Sequence, residues 1–489
     1  MKTVIKMFFA VLLIEGIIHP SYGQQLVSEA IVKINTVYTE YDYDMPWQLL
    51  RQGRRSGSGC IIDGRRILTN AHVVANQTFI QVKRAGEAKK YTAKVETVSH
   101  ECDLALLKVD DDALFSGIQP LKLGDLPRMG DKVAVYGFPK GGDELCVTEG
   151  VVSRVEYQHY SHSGTYLLAS QIDAAINTGS SGGPIVKDGK IVGVTFQSLR
   201  SGENIGYMVP ASRIRHFLMD LKDGKHDGIP SLAIEIQMME NSGLRSKYQM
   251  DPTQTGVLVT YIPPGSSAEN ILRPGDVILS VDGKQIGNDG TIQFRENERA
   301  YFEHLVHDKL IGDTVSCKIL RGGKIMEASL KMTVPVDSLR LVPNKQYDRE
   351  PTYYVMGGLV FQPLTLNYLG SWEKLREAPS HLVNYYFNGR RSRDRKELVV
   401  LSHVLGDEMT AGYEDFRERI ISEANGKTIS SMEGLLKTLE SNGGKYHVLV
   451  DDNGRQIILE KKKIEESEGG ILKKYKIRSD RSEDLRGSQ

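Results

Sequence analysis

The chain has 489 residues, with 62 Lys+Arg against 62 Asp+Glu, 25% charged and 40% hydrophobic. That length suggests roughly three domains, and the near-average composition excludes wholesale disorder, collagen-like repeats and a polytopic membrane protein. A net charge of zero provides no whole-chain field for nucleic acid or an anionic membrane, and four cysteines cannot form a dense disulfide framework.

Lys2 and Lys6 give a basic start, and Met7–Ile18 is apolar except for Glu15 and Gly16. Ser21-Tyr22-Gly23 then puts small residues at both recognition positions of a signal-peptidase site. Residues 1–23 are therefore expected to be a cleaved export signal, whose apolar run is too short to be a good spanning helix. The mature chain is expected in the periplasm or cell envelope, or secreted, with no membrane span.

From about Leu26 to Leu199 the pattern is one of short strands: Ala30–Ile34, Cys60–Ile62, Arg66–Leu68, Lys132–Tyr136, Val147–Tyr157 and Leu167–Ile176. Asp63-Gly64 and Asp188-Gly189 are tight hairpin signals. Many short strands with Gly-rich turns favour a β-barrel or sandwich, closed by an amphipathic helix over Ala211–Leu221. A linker at Asp223–Gly228 leads to a second unit, about Pro230 to Val334, with a Gly322-Gly323 hairpin near its end. A third, less regular unit follows, with strands at Glu397–Val404 and Tyr446–Val450 and a helix at Ser431–Leu439. Its Gly426-Lys427-Thr428-Ile429 is similar to Gly283-Lys284-Gln285-Ile286, which suggests a diverged repeat. Lys461–Gln489 carries nine basic and six acidic residues and is expected to be a solvated or disordered tail.

The strongest chemical signal is Asn177-Thr178-Gly179-Ser180-Ser181-Gly182-Gly183-Pro184. A serine hydroxyl is a poor nucleophile unless a base takes its proton. Flanking glycines let the chain turn tightly and aim backbone N–H groups at a developing oxyanion. Ser181 is thus a candidate nucleophile, with the N–H groups of Gly179 and Ser181 as an oxyanion hole. His72, after Thr69-Asn70-Ala71, supplies a base, and Asp103, just before Leu104-Ala105-Leu106-Leu107, supplies an acid. Their order, His, Asp, Ser, is that of the chymotrypsin-like arrangement. Gly179-Ser180-Ser181-Gly182-Gly183 also fits the G-x-S-x-G elbow of α/β-hydrolases, but there the histidine follows the serine, and here the flanks are β-like.

These three blocks resemble those of the Deg/HtrA (Do-like) serine proteases, with 31 residues from His72 to Asp103 and 78 from Asp103 to Ser181. Met45-Pro46-Trp47-Gln48 and the three-unit layout look most like the plant Do-like branch with two PDZ modules. The resemblance implies a mainly β fold: a chymotrypsin-like double β-barrel at 24–222, then two α+β PDZ-like domains at 230–334 and 350–462, and a charged tail at 463–489. It implies His72 as general base and then acid, Asp103 as the holder of its tautomer, and Ser181 as the residue acylated. Where the family often has Pro-Gly-Asn before the serine, this chain has Thr178-Gly179-Ser180, which frees one φ angle but removes no N–H donor. In chymotrypsin-like enzymes the residue six before the nucleophile floors the substrate pocket. Here it is Ala175, with Phe196-Gln197-Ser198 as the expected wall. The expected cleavage is after small or medium apolar residues in unfolded chains.

The second unit resembles a PDZ domain of the same family, which adds a peptide as an extra strand and captures its carboxylate with backbone N–H groups. Its matching loop is Ser231-Leu232-Ala233-Ile234, with alanine at 233 where the family often has glycine. The resemblance also implies a homo-oligomer built from trimers, as a trimer or a hexamer, acting in quality control of damaged envelope proteins under stress. No cofactor or ATP is expected, since no complete G-x-x-x-x-G-K-S/T phosphate-binding loop is present. A holdase or PDZ scaffold with a misaligned triad is the alternative.

Other residues carry weaker signals. His304-x-x-His307 has the spacing of a ligand pair without a third ligand, and no metal is expected. His159 and His162 lack evident partners. Cys60, Cys102 and Cys146 leave a disulfide pairing open, and Cys102 is expected as a buried small residue. Asn76-Gln77-Thr78 is a glycosylation sequon, and Asp451-Asp452-Asn453-Gly454 is expected as a hairpin turn, not a calcium loop. Lys461-Lys462-Lys463 is too short a basic run for nucleic-acid binding.

Overall fold

The structure, a computed structural model, describes residues 22–140, 142–198 and 205–487. The expected export signal at 1–23 lies outside the described residues but for its last two, which open a short helix, α1 (Tyr22–Glu29). Among the described residues no helix is long and apolar enough to cross a membrane.

Twelve strands form two closed antiparallel barrels. The first uses β1 (Ile31–Tyr38), β2 (Gly53–Ile62), β3 (Arg66–Thr69), β4 (Gln77–Arg84), β5 (Tyr91–Ser99) and β6 (Leu104–Lys108), with the single helical turn α2 (Ala71–Val74) after β3. The second uses β7 (Lys132–Gly137), β8 (Cys146–His159), β9 (Tyr166–Ile172), β10 (Pro184–Lys187), β11 (Lys190–Ser198) and β12 (Gly206–Pro210). The Asp188-Gly189 hairpin forms as expected, with both residues at positive φ (51° and 73°), the backbone a two-residue turn needs to follow strand twist. The strand expected through Ile176 stops at Ile172, because Asp173 turns back to accept the Val151 N–H at 2.6 Å. Residues of both barrels meet in one apolar cluster running from Ile31 and Leu104 to Tyr160, Phe196 and Val209, and a second cluster from Val133 to Met208 lies in the second barrel.

Helix α3 (Ala211–Asp220) closes this unit and carries Arg213, which is only 1% exposed. A buried guanidinium requires partners. It donates to the His307 carbonyl at 2.7 Å and to Asp308 at 2.9 Å, which fastens the second unit onto the barrels.

The second unit has β13 (Glu235–Met238), α4 (Ser242–Lys247), β14 (Val257–Tyr261), β15 (Val277–Val281), β16 (Lys284–Gln285), the hairpin β17 (Thr291–Arg295) and β18 (Glu298–Tyr301), α5 (Glu303–His307), β19 (Thr314–Arg321) and β20 (Lys324–Lys331). Its sheet runs β13-β14-β15-β19-β20, so β13 is an edge strand. The third unit has β21 (Tyr354–Met356), β22 (Leu359–Pro363), α6 (Leu366–Leu369), α7 (Ser380–Asn388), β23 (Val399–Val404), β24 (Arg419–Ala424), β25 (Lys427–Thr428), α8 (Met432–Glu440), β26 (Tyr446–Asp451) and β27 (Gln456–Glu460).

The short likeness between these units is structural. Asp282-Gly283 and Asn425-Gly426 both turn at positive φ, and each leads into a two-residue strand. The Ile286 and Ile429 N–H groups both reach back, to Leu279 and Ser422.

The C-terminal segment differs from the expectation of a solvated tail. It forms α9 (Lys461–Lys474), which buries Ile464 and Ile471, and the chain beyond buries Ile477 and Leu485. Val355 N–H donates to Asp480 O and Ser482 N–H to Tyr353 O, so the segment is part of the third unit. Its high charge hides a sparse stripe: Ile464 and Ile471 are seven residues apart and share one helix face. Asp451–Gly454 is a hairpin turn, with Asp451 accepting the N–H groups of Asn453 and Arg455.

Candidate active site

The three chemistry-bearing segments of the first unit meet where the barrels face each other. The turn α2 presents His72 after β3, and Asp103 sits in the tight turn before β6 at φ 54°, a left-handed position that aspartate tolerates. The Asp103 carboxylate makes two hydrogen bonds to one residue: Oδ2 to His72 Nδ1 at 2.7 Å, and Oδ1 from the His72 backbone N–H at 2.8 Å. Asn70 Nδ2 donates to the Asp103 carbonyl at 2.8 Å and fixes the turn against the strand that carries His72. Asp103 is 1% exposed, whereas the His72 side chain is 30% exposed. The carboxylate is therefore sealed behind an imidazole whose other edge is open. Burial alone would raise the Asp103 carboxyl, but His72 and its hydrogen bonds hold it below the usual range.

Ser181 lies in the loop before β10, and this loop is wedged between the barrels. Ser58 of β2 is the wedge point: its N–H donates to Ser181 O at 2.8 Å, and its hydroxyl donates to Gly179 O at 2.9 Å and accepts the Phe138 N–H at 2.8 Å. Gly182 has φ 84°, and a Cβ there would lie 2.2 Å from Ser58 O and 2.3 Å from Thr69 Oγ1. Only glycine allows the Ser181 backbone to come this close to the strand leading to His72. Thr178 O accepts the Lys140 N–H at 2.6 Å, so the trans peptide points the Gly179 N–H the other way. Among the described residues neither the Gly179 nor the Ser181 N–H has an acceptor, which leaves both available to an incoming oxygen.

The expected substrate pocket is only partly assembled. Ala175 does not floor an enclosed pocket but lies exposed after β9, its carbonyl accepting from Thr148. Phe196 is 5% exposed and stacks on Tyr160 at 4.4 Å, so its ring belongs to the core. Gln197 bridges the Ser161 N–H and the His159 carbonyl, and Ser198 pairs with Gly206.

In the second unit Leu232 is fully buried in the core, so its side chain cannot line a ligand groove. Ala233 and Ile234 do line a cavity of about 390 Å³ between the three units. Ala233 holds φ 49°, which explains why glycine would suit this position. Arg390 of the third unit pairs with Glu235 of the edge strand at 2.6 Å. Glu303 also lines the cavity; burial, with Asp337 nearby, pushes its carboxyl up from 4.5 to about 7. The folded chain then binds a proton that the unfolded chain releases earlier, so stability falls as pH rises from about 4.5 through about 7. Glu303→Gln is expected to raise Tm by a few degrees at about pH 8 and to leave it unchanged at about pH 4, read by thermal scans.

His304 and His307 do not face a metal position: His304 meets Asp308 at 3.3 Å and His307 Nδ1 meets Tyr157. Among the described residues no cluster of three His, Cys, Asp or Glu side chains could hold a metal ion. All four cysteines are free; Cys60, Cys102 and Cys317 are buried and Cys146 is exposed. His159 meets the edge of Tyr166, and His162, expected without a partner, stacks on Tyr347. Sequence reasoning missed Ser58 and Asn70. The Ser56-Gly57-Ser58-Gly59 run was a signal for the first, and the position two before His72 for the second.

The family described as trypsin-like peptidase domain matches residues 57–194, and two PDZ-domain families match 230–332 and 342–484. The putative protease Do-like 3, mitochondrial, of Arabidopsis thaliana is 41% identical over 467 residues, covering 95% of this chain and 81% of its own. Protease Do-like 2, chloroplastic, of the same organism is 39% identical over 460 residues, covering 93% and 75%. A solved structure titled HtrA-type protease AlgW with tripeptide aligns with TM-score 0.51 at 25% identity, over 64% of this chain and 97% of that one.

Proposed function

Because the chain belongs to the Do-like (HtrA) family of serine endopeptidases, with a trypsin-like domain followed by two PDZ domains, we propose that it degrades unfolded proteins through an acyl-enzyme formed on Ser181. His72 takes the Ser181 proton and later delivers it to the leaving amine; Asp103 holds the imidazole tautomer and stabilises the imidazolium. The N–H groups of Gly179 and Ser181 receive the oxyanion, and water then hydrolyses the ester. The observation that carries this reading is the paired Asp103 contact to one His72, 2.7 Å and 2.8 Å, beside a Ser181 loop that Ser58 clamps and whose Gly182 lies against Thr69 and Asn70.

Although Ala175 lies exposed here, the position that the family resemblance gives as the pocket floor carries no carboxylate, which supports cleavage after small or medium apolar residues rather than after Lys or Arg. We assign the units to 24–222, 230–334 and 350 onward, the last now including the C-terminal helix. The pattern of residues 1–23 supports translocation of the chain across a membrane and a place in quality control on its far side. A homo-oligomer built from trimers follows from the family resemblance.

The test is fluorophosphonate labelling with peptide mapping, together with casein digestion. Labelling at Ser181 and fragments ending in apolar residues are expected. A label elsewhere, or cleavage after Lys and Arg, overturns the assignment. N-terminal sequencing of the mature chain is expected to start at Gln24.

A further inference from the structure

The connector between the second and third units does not run free in solvent. It crosses the first barrel behind the His72–Asp103 pair, and Tyr347 and Asp348 make contacts there that mere tethering does not require. Asp348 bridges two segments. Its backbone N–H donates to Asn76 Oδ1 at 2.7 Å, and its carboxylate accepts the Asn76 N–H and, at 2.9 Å, His100 Nε2. Asn76 lies just past the turn that carries His72, and the His100 carbonyl accepts the Asp103 N–H at 3.3 Å. One carboxylate thus joins the segment holding the imidazole to the segment holding its acid.

Tyr347 adds the second barrel. Its ring stacks on His162 at 4.0 Å and on His100 at 4.9 Å, and its hydroxyl donates to the His162 carbonyl at 2.7 Å. His162 Nε2 meets His100 Nδ1 at 2.9 Å, and its ring lies 6.1 Å from that of His72. Burial pushes His162 down to about 3, so it acts as a neutral packing ring and not as a second base. A neutral His162 donates to His100 Nδ1, and His100 in turn donates to Asp348. Burial opposes ionisation of Asp348, but the hydrogen bonds from His100 and Asn76 hold its carboxyl below the usual range.

The other end of the connector is fixed to the third unit. Gln346 N–H donates to Asn367 Oδ1 at 2.7 Å, Asn367 Nδ2 returns a bond to Gln346 O at 2.8 Å, and Leu366 N–H donates to Pro343 O. Any displacement of helix α6 therefore pulls on Tyr347 and Asp348.

We propose that Tyr347 and Asp348 are positioning residues for the His72–Asp103 pair, and that the rate at which Ser181 is acylated depends on them. The distance between imidazole and carboxylate depends on how the Asn76 and His100 segments sit relative to each other. Misplacement of a catalytic group by about 1 Å costs up to about 10²-fold in rate. The proposal rests on His72, Asp103 and Ser181 being the catalytic groups. That assignment stands or falls separately, on whether the parent protein is labelled at Ser181.

The experiment uses the full chain and a small fluorophosphonate, which reads serine activation without peptide capture. Tyr347→Ala and Asp348→Asn are each expected to lower the limiting labelling rate by about 10-fold to 10²-fold, with the half-saturating concentration unchanged. Tyr347→Phe, which keeps the stacked ring, is expected to restore most of the rate. An unchanged rate in Tyr347→Ala or Asp348→Asn overturns the proposal. So does a change confined to half-saturation, or Tyr347→Phe as impaired as Tyr347→Ala. Should Tyr347→Ala unfold at the assay temperature, the isosteric Asp348→Asn decides by the same criteria.

Discussion

Ser181→Ala is expected to abolish casein degradation, lowering kcat by on the order of 10⁶-fold, since removing the nucleophile of a triad costs about as much as removing the whole triad. The substitution deletes one oxygen and leaves the loop intact. The Ser58 N–H still finds Ser181 O, its hydroxyl still finds Gly179 O, and Gly182 keeps its place against Thr69. Fold and casein binding should therefore persist, and near-UV circular dichroism should be unchanged. Fluorophosphonate should no longer label the chain. Turnover in the variant above the on-order 10⁶-fold loss would mean that another residue carries the chemistry.

Asp103→Asn is expected to lower kcat by about 10⁴-fold, about 5.4 kcal/mol of transition-state stabilisation, with KM unchanged. The geometry dictates the sign. Asp103 Oδ2 accepts from His72 Nδ1, which leaves Nε2 unprotonated and able to take the Ser181 proton. An asparagine in the same space can present its NH₂ to Nδ1 and force the proton onto Nε2, where it blocks that transfer. The second contact, from the His72 N–H to Oδ1, survives in the amide, so the turn should keep its shape. Steady-state kinetics on casein with thermal scans check both halves. A variant within tenfold of the parent, by the same triad arithmetic, would remove Asp103 from the mechanism.

The barrels were legible because alternation and turn residues are local. Asp188-Gly189 and Gly322-Gly323 announce hairpins by themselves, and all four residues take the positive φ expected of them. His72, Asp103 and Ser181 were legible for another reason: each sits in a short block whose residue types are required by its chemistry or by crowding, as at Gly182. The C-terminal helix was not legible, because two isoleucines seven apart among lysines and glutamates provide little periodic signal. Packing of Ile471 into a cluster with Tyr353, Val355 and Val360 decides its fate instead. The substrate wall was misjudged at Phe196 because a single β-strand presents alternate residues to opposite faces. Sequence position does not say which face looks at Tyr160.

The sequence by itself determined which residue types the chain could bring to hydrolysis, and in what order, along with its period-two strands and their turns. These follow from bond geometry and side-chain chemistry within a few residues. Only the tertiary structure decided that Asp348 would lie against Asn76, 272 residues away, and that Arg213 would be sealed beneath His307 and Asp308. Such pairings form only when folding brings distant segments together, and that of Arg213 is kept because an unpaired buried charge costs far more than a paired one.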